Sequence, residues 1–142
     1  MSVRFYAAFE GSRPENCGEI PESDKENNPM AKTKYTATEI KKIVRLLAEA
    51  LDTNKVVIDK IILYGSYAKG SPRPYSDIDI AVISPTFQGK KIMDIQADLA
   101  RIFSNYLAVV EAVGYSSKEY QTAEPGTMLG EIKRTGKLLF AA

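Results

Sequence analysis

Residues 65–82 read GSYAKGSPRPYSDIDIAV, a Gly-Ser turn that leaves one apolar run and an Asp-x-Asp that opens another. Ile61, Ile62, Leu63 and Tyr64 lead into Gly65, while Ile78, Ile80 and Val82 alternate with Asp77, Asp79 and Ala81. Alternation at a period of two marks a strand with one face in a core. Residues two apart on a strand share a side, roughly 6.5 to 7 Å from each other, so Asp77 and Asp79 can converge on a divalent cation while Ile78 points the other way. Glycine lets the backbone approach a phosphate closely. Ser66 adds a hydroxyl at the start of the Tyr67-Ala68-Lys69 turn, where backbone amides also point outward. Lys69 and Arg73, in the connecting loop, are either phosphate-neutralising groups or the solvated cations that any surface carries. Tyr64, Tyr67 and Tyr75 read as packing residues rather than base-stacking ones.

Together these residues resemble the signature of the DNA polymerase beta-like nucleotidyltransferase superfamily, most closely its minimal, single-domain bacterial members. The resemblance spans roughly residues 38 to 140, and its specific part runs from Leu63 to Val82. Asp-x-Asp and Gly-Ser are weak signals separately and strong ones at this spacing, each with its own strand. The resemblance implies that Gly65 and Ser66 hold the β- and γ-phosphates of an incoming nucleoside triphosphate such as ATP, and that Asp77 and Asp79 bind two magnesium ions. The implied chemistry is attack on the α-phosphorus with loss of pyrophosphate. Negative charge builds on the phosphate oxygens, and hard cations held by one or two carboxylates meet it.

The superfamily usually has a third carboxylate on the neighbouring strand, as metal ligand or general base. The candidate is Glu111, within the apolar stretch Leu107-Ala108-Val109-Val110-Glu111-Ala112-Val113. A buried acid costs several kcal/mol unless paired or metal-bound, so an acid there needs a reason. The alternative is an acid on the exposed face of an edge strand. Glutamate where aspartate is commoner moves the carboxylate by about one bond length, and catalytic geometry tolerates little misplacement.

Composition bounds the setting. The chain has 142 residues, 44% apolar and 26% charged, which suits one globular domain. Nineteen basic against 18 acidic residues leave no global electrostatic footprint for nucleic acid, which weighs against a polymerase. The single cysteine, Cys17, excludes an internal disulfide, and with no histidine there is no histidine-based catalysis or zinc site. No membrane-spanning run or signal-peptide pattern is visible, and a reducing cytoplasm is the expected setting.

The chain divides near residue 35. Pro14, Pro21 and Pro29 lie among Glu, Asn, Ser and Lys, a composition that does not offset its own ordering entropy, so residues 1–35 are expected to be disordered or extraneous. Met30 reads as a second plausible beginning or simply as an internal methionine. Residues 36–142 form the expected nucleotidyltransferase domain, an α/β (α+β) fold with a mixed sheet packed by helices on one face. Thr38 is the expected cap of a first helix carrying Ile40, Ile43, Val44, Leu47 and Leu51. Strands are expected near 60–64, 78–83 and 107–113, with an amphipathic helix from Ile92 to about residue 105. A helix with Met128, Leu129 and Ile132 ends at Gly136, and Lys137 to Phe140 form a last strand. For Ser66 to meet Asp77, the first two strands must be antiparallel neighbours.

Larger superfamily members add a helical domain that walls the cleft, and here that wall is expected from self-association or a helical subunit. Minimal members are often paired with a helical HEPN-type protein in toxin–antitoxin modules, so the resemblance implies transfer of AMP from ATP to a hydroxyl, a tyrosine, on such a partner. The alternatives are a small-molecule nucleotidyltransferase of aminoglycoside type and a non-catalytic, antitoxin-like module that occludes a helical partner.

Overall fold

The computed structural model describes residues 34–106 and 109–142. The segment read as disordered or extraneous, with Cys17 and Met30, lies outside them apart from its last two residues, as do Leu107 and Ala108.

Helix α1, Ala37–Thr53, starts where Thr36 Oγ1 accepts from Glu39 N (3.1 Å) and Glu39 Oε1 accepts from Thr36 N (2.9 Å). The cap is therefore Thr36 rather than Thr38, because only Thr36 has a glutamate three residues on to close the reciprocal box. Its buried face, Ile40, Val44, Leu47, Ala48 and Leu51, follows helical spacing. Each large aliphatic side chain buried this way is worth about 1.5–3 kcal/mol.

Strand β1, Lys60–Tyr64, runs directly into the five-residue helix α2, Gly65–Lys69, and β2 spans Ile78–Ile83. A 3-10 turn over Pro85–Phe87 leads to α3, Ile92–Ile102. This helix ends three residues short of expectation. Phe103 turns inward to become almost fully buried, and Ser104–Tyr106 tighten into a 3-10 turn. Strand β3, Val110–Tyr115, begins later than its apolar run suggests, because pairing with β2 starts at Ile78 opposite Val110. The short α4, Ser117–Gln121, carries a second capping box, Ser116 with Glu119. Helix α5, Met128–Thr135, precedes the last strand β4, Lys137–Ala141.

The sheet order is β3-β2-β1-β4, with β1 antiparallel to both β2 and β4 and β2 parallel to β3. The mixed sheet and the antiparallel β1–β2 pair agree with the sequence reading. The two long helices share one face. There Val44, Leu47 and Leu51 of α1 and Ile95 and Leu99 of α3 pack with Ile61, Leu63, Ile78, Ile80 and Val82. On the other face a smaller cluster joins Ile62, Ala81 and Ile83 to Leu129 and Ile132 of α5. That cover lies at the far end of β2 and leaves the Asp79 end uncovered. No helix among the described residues is long and apolar enough to cross a membrane.

Candidate functional site

The register of three strands builds the site. Tyr64 on β1 pairs with Asp79 on β2, and Asp79 pairs with Glu111 on β3. Paired positions on neighbouring strands project to the same face, so the three side chains form a row across the sheet. Gly65 stands at the end of that row. Its φ is +73°, and a Cβ built there would run into Oδ2 of Asp79. The glycine is thus required twice, for a left-handed backbone and for room beside the carboxylate.

Ser66 opens the first turn of α2, and its carbonyl accepts from Ser71 N at 3.1 Å. Gly70, at φ +76°, ends the helix. Tyr67 is buried, and its hydroxyl accepts from Tyr35 N at 3.0 Å while the two rings meet edge to face at 6.4 Å. This contact ties the Gly-Ser turn to the start of α1, so Tyr67 packs as expected.

Beyond α2 a tight turn is closed by Arg73 N donating to Ser76 Oγ and Ser76 N donating to Arg73 O, both at 3.0 Å. Inside it Tyr75 adopts φ +63° and is 67% exposed. The expectation of a packing residue fails for Tyr75, because the turn leaves its ring no neighbours to bury against. Tyr64 is also more than packing: half-buried, it borders the acids. An aromatic residue directly before a glycine signals neither outcome.

Asp77 precedes β2 by one residue and is exposed, whereas Asp79 is partly buried. Glu111 is exposed on an edge strand, which is the second of the two settings its sequence left open. The strand has the sheet on one side and water on the other face, so its acid needs no burial. Its register nonetheless sets it beside Asp79.

Burial first, then the charges of Glu111 and Asp77, push the Asp79 carboxyl up to about 6 from 3.8, and a side-chain hydrogen bond with Glu111 adds to the shift. Burial, followed by the charges of Asp79 and Glu111, also pushes the Tyr64 phenol up, keeping it protonated. Three acids therefore crowd one sheet end. Lys69 lies within electrostatic reach of Glu131 on α5, whose carboxyl is held low chiefly by Arg134 and in smaller part by Lys69. Arg73 is exposed and makes no salt bridge among the described residues. The structure thus brings Gly65, Asp79 and Glu111 together with Asp77 beside them, and leaves Lys69 and Arg73 at the periphery.

A cleft of ≈ 280 Å³ borders the acids at the β3 edge. Asp77 and Glu111 form its polar side, and Gln96, Leu99, Phe103 and Ala112 are among its walls. Nothing in the sequence marks Gln96, because its place depends on how α3 packs.

Among the described residues no three acid, histidine or cysteine side chains form a ready-made metal cage. The donor set still suits a hard cation. Magnesium takes one or two carboxylates and fills its octahedron with water and substrate phosphate, and the repulsion that raises Asp79 is what a divalent ion relieves.

Several solved structures are similar to this chain. A candidate nucleotidyltransferase from Sulfolobus solfataricus is 19% identical over 70% of this chain and 74% of its own, with a TM-score of 0.47. A toxin–antitoxin structure with AMP-PNP is 26% identical over 69% and 73%, with a TM-score of 0.48. No curated protein matches. The family model described as Polymerase beta, Nucleotidyltransferase matches residues 41–142, from α1 through β4 and across the whole Gly65–Glu111 site. By that match the chain belongs to the polymerase beta nucleotidyltransferase family.

Proposed function

We propose that the protein is a magnesium-dependent nucleotidyltransferase that moves a nucleoside monophosphate, AMP from ATP, onto a hydroxyl of a helical HEPN-type partner protein. The observation that carries this reading is the convergence of Gly65 and Asp79. A phosphate-binding turn and a paired carboxylate meet at one open end of the sheet, where a Cβ on Gly65 would collide with Asp79.

Gly65 and Ser66 take the β- and γ-phosphates, using exposed amides and the Ser66 hydroxyl. Asp77 and Asp79 hold magnesium, which when bound neutralises charge on the phosphates and the leaving pyrophosphate. Glu111, beside Asp79, completes the metal site or receives the acceptor's proton. Tyr64, kept protonated, borders the acids without adding negative charge to them. Lys69 and Arg73, on the chain that follows the Gly-Ser turn, serve as cations that draw in the triphosphate by charge. The cover over the sheet stops short of Asp79, leaving room for a partner to bring its hydroxyl to the cleft. The helical identity of that partner rests on family resemblance.

Incubation of the co-expressed partner with α-labelled ATP and magnesium tests the reading. Label and one adenylyl group of added mass on the partner are expected, and both should vanish in the Asp77→Asn, Asp79→Asn pair. A partner whose mass never changes while it remains neutralised by the double variant would reject catalysis in favour of occlusion.

A further inference from the structure

We infer that Gln96 is the positioning residue that fixes Glu111 opposite Asp79, its side-chain amide taking the place of the neighbouring strand that β3 lacks among the described residues. Among the described residues strand β3 has β2 on one side only. Ile78 N donates to Val109 O at 2.8 Å and Ser84 N to Tyr115 O at 3.0 Å, so the odd-numbered residues turn their peptide groups toward β2. Peptide groups alternate sides along a strand, which turns those of Ala112 and Gly114 outward. There Gln96 Nε2 donates to Ala112 O at 3.0 Å, and Gly114 N donates to Gln96 Oε1 at 3.1 Å. One amide bridging the carbonyl of one residue and the N–H two residues on is the pattern a residue of an adjacent parallel strand makes.

The approach depends on small residues. A Cβ on Gly114 would meet Ile95 Cγ2 at 2.5 Å and Phe87 Cε2 at 2.9 Å, so the glycine lets α3 come close enough for Gln96 to reach the backbone. Glu111 is itself exposed, so packing does little to hold it. Its position is set by the strand on either side of it, and Gln96 ties that strand directly after Glu111. An edge strand with an unmet polar row frays and recruits other strands; the Gln96 bridge suppresses both at this point. Small displacements of a reacting group are costly, so the bridge bears on turnover rather than on nucleotide affinity.

This inference rests on the role proposed for Glu111, and the test separates the two. Gln96→Met keeps side-chain length and helix propensity while deleting both hydrogen bonds. In the full chain, exchange of the Gly114 amide should speed up by about tenfold or more, because its acceptor, Gln96 Oε1, is gone. Pyrophosphate release from ATP and magnesium, with water as acceptor, should fall about tenfold in kcat with KM for ATP changed less than about twofold. In a Glu111→Gln background Gln96→Met should remove nothing further, since both changes disable one unit. Unchanged Gly114 exchange, unchanged kcat, or losses that multiply in the double variant would each overturn the inference. If Glu111→Gln alone leaves kcat unaltered, or the wild type releases no pyrophosphate, the proposed role of Glu111 fails. Gly114 exchange then decides whether Gln96 pins the strand.

Discussion

Asp79 and Glu111 occupy paired positions on the parallel neighbours β2 and β3, so their carboxyl groups project side by side from one face of the sheet. Burial and then the negative charges of Glu111 and Asp77 push the Asp79 carboxyl up. The site therefore holds charge that the fold alone does not neutralise.

The folded pKa of Asp79 lies near 6, above its ordinary 3.8, so the folded state binds this proton more tightly than the unfolded state. Below about pH 4 both states are protonated and the group contributes nothing. As pH rises through about 4 to 6 it destabilises the fold, and above that the penalty is constant. Because Asp79 is only partly buried, screening cuts the effect to roughly 1 kcal/mol. Metal-free Asp79→Asn should therefore be more stable than wild type by about 1 kcal/mol near pH 7.5 and equal to it near pH 4, as read by thermal unfolding. An advantage that persists at acid pH would refute the charge explanation.

Magnesium should reverse that order. A cation that binds only the folded site stabilises by mass action, and it needs Asp79 ionised. Wild-type melting temperature should rise with magnesium and a non-hydrolysable ATP analogue near pH 7.5, rise less near pH 5, and stay flat for Asp79→Asn. A shift of equal size in the variant would place the metal elsewhere.

Gly65 and Gly70 make a controlled comparison. Both have positive φ, +73° and +76°, but a Cβ on Gly65 meets Asp79 whereas one on Gly70 has nothing within 4 Å. Gly70→Ala should cost only backbone strain, about 1 kcal/mol, with nucleotide turnover retained. Gly65→Ala should cost about 2–3 kcal/mol and lower turnover at least about tenfold, because the carboxylate must move. Denaturant unfolding alongside pyrophosphate release checks both, and equal losses would remove the special role of Gly65.

Tyr75 carries strain without burial. It sits at φ +63° with its ring 67% exposed. Tyr75→Gly should leave stability unchanged or raise it by up to about 1 kcal/mol, since relief of the left-handed backbone offsets the added chain entropy. A clear drop in the denaturation midpoint would show that the ring makes contacts worth more than the strain.

Much of this was written in the chain itself. Gly-Ser after an apolar run and Asp-x-Asp before another specify two strands and an acid face, because strand period and glycine's freedom are local properties. The ends of β1 and β2 and the start of α3 follow the sequence pattern for the same reason. What local pattern could not fix was set by packing. Glu111 reads either as a buried acid or as an acid on the exposed face of an edge strand, and only the edge position of β3 shows it exposed yet beside Asp79. Tyr75 gives no hint of exposure, since the turn that expels it is closed by Ser76. Gln96 is one polar residue on an amphipathic helix until α3 is laid across the small residues of β3. Sequence determined which chemical groups the site holds; tertiary structure decided which of them meet, because register and helix docking are long-range choices that no short window of residues contains.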